Sequence, residues 1–192
     1  MTDSSSRSKP IHRDLLVNPG PQPDFHAIYR LEFSYVWKTL RRLGAPVPDI
    51  EDLVHDVFVV VHRHLGDYDS ARPLRPWLFG IAIRVVSDFR RAGRNLHEFS
   101  GESVEPVDTA PTPYERMEGK EARALLMKAL ECLDLDRRAI FVMHELDELA
   151  MPEIAGALTI PLNTAYSRLR LARADVAAWI ERYRSGEGRR DG

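Results

Sequence analysis

The sequence predicts an all-α protein of two small helical domains joined by a flexible acidic linker. Apolar residues recur at three- and four-residue steps through most of the chain, and no stretch shows the alternation typical of a β-strand. A segment with three prolines and little periodicity separates the two helical halves. With 192 residues, of which 44% are hydrophobic, the chain is long enough to form two modest cores.

The first half of the chain predicts three helices. Helical spacing over 25–43 ends at Gly44, and a second helix, 50–65, follows Asp49, which we expect to cap it. Residues 66–73 are rich in turn formers and predict a loop. In the third helix, which begins near Pro76 and runs to about residue 94, apolar residues repeat every four positions. We therefore expect Trp77, Ile81 and Phe89 to be core residues.

The second half predicts four helices, over 122–133, 137–146, 152–158 and 162–183. Residues 151–170 have the pattern of a helix-turn-helix, with Ala155 where the helices cross, Ile160 in the turn, and Ala165 and Leu169 in the second helix. The polar positions of that second helix carry no acid before Asp175, so it suits the major groove of DNA. A plain helical hairpin with a proline turn is the alternative.

The net charge of −2 conceals an alternation of sign along the chain. Residues 49–69 hold six acids and one arginine, residues 72–94 hold six arginines and one aspartate, and residues 95–122 hold seven acids and two basic residues. Basic segments beside acidic ones indicate two kinds of partner, a polyanion and a basic protein surface. The acidic segment 95–122 includes the predicted linker, which could imitate nucleic acid or serve only as a solubilising spacer.

Nothing in the sequence predicts catalytic residues, a metal site or a cofactor. The segment 144–148 begins like a zinc-protease helix, but Glu148 stands where the second histidine ligand would be. Of three neighbouring histidines, only His55 and His62 share a helix face, which is too few for a metal phosphohydrolase. The single Cys132, expected to be partly buried, and the lack of a signal-like or membrane-spanning run predict a cytoplasmic protein without membrane insertion.

Three segments, in this order, resemble the extracytoplasmic-function group of bacterial sigma factors. Residues 49–58 resemble the family's second-region helix, and residues 76–82 with Asp88, Arg90 and Arg91 resemble the DNA-melting helix next in order. Residues 133–173 are similar to the fourth region, within which 161–169 are a variant of the recognition-helix signature. The departures are Thr159 where the family usually has glycine, Ala150 in place of a serine cap, and Tyr166 in place of a basic residue.

The resemblance implies a domain order of tail (1–23), region 2 (24–95), linker (96–116), region 4 (117–184) and tail (185–192). It implies core RNA polymerase, promoter DNA and an anti-sigma factor as partners, and no small-molecule cofactor. The residues expected to bind core polymerase are Asp49, Asp52, Leu53, Asp56 and Val57. Those expected at the minus-10 element are Tyr68, Arg72, Arg75, Arg84, Arg90, Arg91 and Arg94.

At the minus-35 element the resemblance implies contacts from Asn163, Thr164, Tyr166, Ser167, Arg168, Arg170 and Arg173, with Arg168 as the first candidate for a base contact.

Two other functions are compatible with a helix-turn-helix. One is a stand-alone regulator that dimerises or senses a ligand through its N-terminal helices, and would occupy a palindromic operator without polymerase. The other is a protein-interaction adaptor, which would show no salt-dependent affinity for DNA.

Overall fold

The computed structural model describes residues 24–94 and 113–186, and these residues form seven α-helices. The helices are α1 (Phe25–Arg42), α2 (Ile50–His64), α3 (Leu74–Arg94), α4 (Pro113–Glu131), α5 (Leu135–Phe141), α6 (Met151–Leu158) and α7 (Leu162–Arg184). The predicted all-α class is confirmed. The tail 1–23, most of the predicted linker and the last residues of the chain lie outside the described residues.

Helices α1, α2 and α3 form a bundle around a shared apolar core. Each contributes fully buried side chains, among them Leu40 from α1, Val57 from α2 and Phe79 from α3. Asp24 caps α1, because its Oδ1 accepts a hydrogen bond from the backbone N–H of His26 at 3.2 Å. The expected cap of α2 is wrong in detail. Asp49 precedes that helix as the last residue of a 3₁₀ turn, and its side chain accepts no capping bond.

Helices α4 to α7 form a second bundle that contains the predicted helix-turn-helix. Ala155 in α6 and Ala165 and Leu169 in α7 are buried where the two helices pack, as expected from their spacing. A single π-helical turn, Val142–Leu146, extends α5 and leads into the segment before α6. Helix α4 begins at Pro113, inside the range expected for the linker. The sequence did not predict this start, because the first residues of α4 are mostly charged and show no apolar periodicity. Cys132 was expected to be partly buried but is exposed, one residue beyond α4.

The helix-turn-helix accommodates two unusual residues, one at each end of its first helix, α6. Thr159 ends α6 in the left-handed region, with φ of +56° and ψ of +45°. Ala150 has no side-chain acceptor with which to cap α6, but the Glu153 carboxylate accepts a hydrogen bond from its backbone N–H at 3.1 Å. Of the two hydrogen bonds of a capping box, the one from the N-cap backbone N–H is therefore present, although the N-cap residue has no hydroxyl to make the other.

Thr159→Gly should stabilise the protein, because glycine adopts positive φ without the steric cost borne by a β-branched residue. We expect a gain of about 1 kcal/mol, which corresponds to roughly 3 °C in melting temperature for a chain of this size. Thr159→Ala is the control, because it removes the branch and keeps the Cβ. A melting temperature for Thr159→Gly no higher than that of Thr159→Ala would contradict the assignment of strain to this residue.

The two bundles pack directly against each other and share one continuous apolar core, which the sequence did not predict. Helix α3 of the first bundle lies against α6 of the second. At their crossing Gly80 approaches so closely that a Cβ there would lie 2.7 Å from the backbone oxygen of Ala157. None of the helices in the described part of the chain is long and apolar enough to cross a membrane.

Candidate nucleic-acid interface

The acidic face of α2 presents two carboxylates to solvent. Asp52 and Asp56 lie one turn apart and are both exposed, whereas Asp49 is half-buried before the first turn. The structure corrects the expectation for Leu53 and Val57. Both are buried in the core of the first bundle, so they support this face from beneath and cannot contact a partner without unfolding it.

The loop between α2 and α3 holds Tyr68 in a defined position. Its ring packs against that of Trp77, with 4.8 Å between centroids, and its hydroxyl donates to the backbone oxygen of Arg72 at 2.5 Å. Partial burial, and secondarily the charge of Asp69, raises the pKa of Tyr68, so the phenol remains a neutral donor. The guanidinium of Arg72 is exposed and lies 3.4 Å from the Asp69 carboxylate. This loop therefore presents an ordered aromatic ring beside an exposed cation.

The arginines of α3 divide into an outward and an inward set. Arg84 and Arg91 are exposed and seven residues apart, which places them on one face. Arg91 pairs with Asp88 at 2.9 Å, and Arg75 at the start of the helix pairs with Glu32 at 3.0 Å. The pair of Arg91 with Asp88 is exposed and therefore weak, so a phosphate can replace its carboxylate. Arg75 is held more firmly, because only 15% of the Glu32 side chain is exposed and the guanidinium also lies over the Tyr35 ring, 4.9 Å from its centroid.

Arg90 points inward, contrary to the sequence-based expectation. Its Nη2 donates to the backbone oxygen of Leu43 at 2.6 Å, where α1 ends. A cation at this place satisfies a carbonyl that has no helical partner and interacts favourably with the helix dipole. Arg90 is therefore a structural residue of the first bundle, while the side chain of Arg94, the last residue of α3, lies outside the described residues.

Helix α7 buries one face and presents the opposite face to solvent. Ala165, Leu169 and Ala172 are its buried residues. Five of the seven expected minus-35 residues are exposed: Asn163, Tyr166, Ser167, Arg170 and Arg173. Tyr166 retains 52% of its accessible surface, and no described acid of α7 precedes Asp175, so this outward face is cationic and aromatic.

The other two expected residues lie at the edge of that face. Thr164 is half-buried, and its backbone oxygen accepts from the hydroxyl of Ser167 at 2.9 Å. Arg168 is bound to Asp136 of α5 at 2.8 Å and retains 31% of its side-chain surface. Arg173 is likewise bound to Glu145, at 2.6 Å. Arg168 would have to leave Asp136 to reach DNA, so Arg170 is the arginine best placed for direct contact.

Sequence reasoning missed the residues that join the two bundles. The carboxylate of Asp147, which lies just after the π-helical turn, accepts from the hydroxyl of Tyr35 at 2.9 Å and from Nη1 of Arg42 at 2.8 Å. Burial, and then the nearby charge of Asp147, raises the pKa of Tyr35, so the phenol stays protonated and donates. No local pattern could have revealed these contacts, because the partners are more than 100 residues apart.

A helix-turn-helix with a cationic outward face, joined to a bundle that presents separate arginine-bearing and acidic faces, defines a DNA-binding protein with a further face suited to protein docking. Residues 28–95 match the family model described as Sigma-70 region 2, and residues 123–176 match Sigma-70, region 4. The chain belongs to the extracytoplasmic-function group of sigma-70 RNA polymerase sigma factors. Sigma factors direct transcription initiation and are not enzymes.

Similar proteins agree with this membership over most of the chain. RNA polymerase sigma factor NccH of Alcaligenes xylosoxydans xylosoxydans is 32% identical over 166 residues, which cover 84% of this chain and 89% of NccH. The ECF RNA polymerase sigma-E factor of Escherichia coli K12 is 25% identical over 180 residues, covering 88% and 94% of the two chains.

Two solved structures share the fold. One is CnrH in complex with the cytosolic domain of CnrY, with a TM-score of 0.59, 27% identity, and coverage of 84% of this chain and 90% of that one. The other is the sigma factor RpoE in complex with the anti-sigma factor NepR from Bartonella quintana. It has a TM-score of 0.63 and 22% identity, and covers 82% of this chain and 97% of that one.

Proposed function

We propose that this sigma factor uses three separate surfaces to initiate transcription. The acidic face of α2 (Asp52 and Asp56, with Asp49 beside them) docks on core RNA polymerase. The loop around Tyr68, together with the exposed arginines of α3, binds the minus-10 element, and the outward face of α7 reads the minus-35 element. The observation that carries the proposal is the separation of charge, because an acidic face and two cationic faces lie on different helices of one chain.

The minus-10 surface suits a melted strand better than a duplex. Tyr68 offers an aromatic ring at the loop, supported from beneath by Trp77, which packs against the core as expected, and stacking on such a ring is worth about 1 to 3 kcal/mol per base. Arg72, Arg84 and Arg91 are exposed near or along the same helix and can offset phosphate charge. Arg90 is omitted from this surface because it binds the end of α1.

The minus-35 surface consists of the two exposed turns at the start of α7. In a helix-turn-helix, the early residues of the second helix face base edges in the major groove. Asn163, Tyr166 and Arg170 occupy those positions and are exposed. Tyr166 offers a ring for apolar contact with a thymine methyl group, where a basic residue would favour guanine or phosphate.

An anti-sigma factor is a further proposed partner, and the cytoplasm is the proposed location. Of the two structural relatives, one is bound to an anti-sigma factor and the other to the cytosolic domain of CnrY. This chain has the same fold, and its domain of α1 to α3 exposes Tyr29, Leu31 and Phe33, apolar side chains that a protein partner could cover.

Reconstituted transcription tests the assignment. The purified chain with core RNA polymerase, on a library of promoter fragments, should yield transcripts whose templates share two sequence elements at a fixed spacing. Core enzyme alone, or the chain alone, should yield none. No transcript from any template, combined with a footprint of the free chain on a palindromic site, would overturn the proposal in favour of a stand-alone regulator.

A further inference from the structure

An ion pair of particular geometry joins the helix α5 extension to the outward face of α7. Both Nε and Nη2 of Arg173 lie close to the same carboxylate oxygen of Glu145, Oε1, at 2.7 and 2.6 Å. This contact uses one edge of the guanidinium and leaves Nη1 without a partner among the described residues. Because the guanidinium is planar and rigid, a contact through two of its nitrogens fixes its direction as well as its position.

Glu145 is the better anchored of the two residues. It belongs to the π-helical turn Val142–Leu146, in which Val142 and Met143 are fully buried in the core. Only 33% of the Glu145 side chain is exposed, against 55% of the Arg173 side chain. Single π-helical turns are frequent at functional sites, and this one turns its carboxylate toward α7.

Arg173 lies at the far end of the outward face of α7. It follows Tyr166 by two turns and Arg170 by one, so all three lie on the same side of the helix. From Asn163 it is about 15 Å along the helix axis, whereas the major groove is about 12 Å wide. When the first two turns of α7 enter the groove, Arg173 is therefore close to the phosphates along its edge. Contacts with phosphates at such positions set the register of a protein on its DNA.

The acid changes what Arg173 contributes to DNA binding. The pair is neutral as a whole, so a duplex on which α7 is poorly seated gains little from it. A duplex on which α7 is fully seated brings a phosphate to Nη1, and a charge-assisted hydrogen bond forms while the carboxylate stays in place. An arginine released from its acid would instead reach phosphates on any duplex, because attraction to the backbone does not depend on sequence.

We propose that Glu145 is a positioning residue for minus-35 recognition, which holds Arg173 in a direction that meets a phosphate only when α7 is seated on its element. The inference rests on the proposed minus-35 role of α7. Glu145 itself touches no DNA. It lowers the affinity for unrelated sequences and thereby sharpens the preference for the promoter. The pair is exposed and contributes little to stability, so its effect on binding is separable from folding.

Glu145→Gln tests this role in holoenzyme made from the full-length chain and core polymerase. Two promoter fragments share one minus-10 element and differ only at minus 35, where the sequence is either the one that the wild type selects or a scrambled one. The variant keeps the size of the side chain and removes its charge, so Arg173 is released. We expect about threefold tighter binding to the scrambled fragment and a change of less than about twofold on the selected one. On the scrambled fragment the slope of log K against log salt should steepen by about 0.9, the value of one further phosphate contact.

Asp175→Asn is the matched control. The carboxylate of Asp175 accepts from Nη1 of Arg137 at 2.7 Å, so this change also removes one negative charge and one ion pair between α5 and α7. Arg137 keeps its pair with Asp134 at 3.2 Å, and Arg173 keeps its contact with Glu145. The affinities for both fragments and the salt dependence should therefore equal those of the wild type.

An Arg173→Gln background separates positioning from charge. Without the arginine, Glu145→Gln should have no further effect on either fragment, because the two residues act as one unit. The positioning role is excluded if Glu145→Gln tightens binding to the scrambled fragment equally in this background, or if Asp175→Asn tightens it as well. It is also excluded if Glu145→Gln alone changes nothing. The wild type reports separately on the proposed function, which fails if wild-type holoenzyme binds both fragments equally.

Discussion

Asp52→Arg combined with Asp56→Arg should abolish most binding to core RNA polymerase. The two carboxylates are exposed one turn apart. Replacing both with arginine changes the charge of this face by four units, from −2 to +2, so a basic partner surface would be repelled. Removing close charge pairs from protein interfaces costs several kcal/mol, and we expect at least about 3 kcal/mol here, which is more than a hundredfold in Kd. Fluorescence anisotropy of a labelled chain with core enzyme measures this loss.

The control keeps the same change of net charge away from α2. Glu121→Arg with Glu181→Arg alters two exposed acids on α4 and α7 and should leave core affinity within about threefold. Both double variants should retain the helical circular dichroism of the wild type, because none of the four positions is buried. Unchanged affinity in the Asp52 and Asp56 variant would move the docking surface to another part of the protein.

Arg170→Ala should relax the base preference at the minus-35 element. Arg170 is exposed on the outward face of α7, and a good contact of arginine with a base discriminates by about 1 to 3 kcal/mol, or roughly 5- to 150-fold. Transcription by holoenzyme from promoters randomised at minus 35, with the minus-10 element fixed, measures the preference. The loss should appear at one or two base positions and leave the others unaltered.

Two variants separate base reading from general charge and from structure. Arg182→Ala removes an equal charge from the same helix about 18 Å further along, so the base preference should be retained. Arg168→Ala breaks the ion pair with Asp136 and should lower stability modestly, by about 0.5 kcal/mol. If Arg168→Ala changed the preference and Arg170→Ala did not, the reading residue would be Arg168, as the sequence alone indicates.

The sequence was a good guide to the helices because each one buries a periodic stripe. The four-residue repeat of α3 correctly placed Ile81 in the core, and the small and apolar positions of the helix-turn-helix are buried as expected. Helix α4 was harder to delimit, since its first residues have little apolar periodicity to mark them. Asp49 does not cap α2, because it is the last residue of a 3₁₀ turn and its backbone conformation differs from that of an N-cap residue. The composition of this segment did not predict the 3₁₀ turn.

The candidate site was predicted less well, because residue type does not reveal the direction of a side chain. Arg90 and Arg91 are adjacent and chemically identical, yet one binds the end of α1 and the other pairs with Asp88 at the surface. Leu53 and Val57 belong to the motif that resembles the docking helix, but their side chains are buried in the core beneath its exposed face. The contact between domains depends on pairs more than 100 residues apart, which local periodicity cannot encode.

The π-helical turn Val142–Leu146 bears on how this segment tolerates a change of length. Such a turn takes up one residue more than the α-helical path requires and confines it to a single wide turn. Deleting one residue would restore ordinary α-helical spacing and leave the segment beyond it in nearly its present direction, with the Asp147 carboxylate still facing Tyr35 and Arg42. The gain or loss of one residue in this short stretch is thus absorbed by the turn, and the segment keeps its contacts with α1.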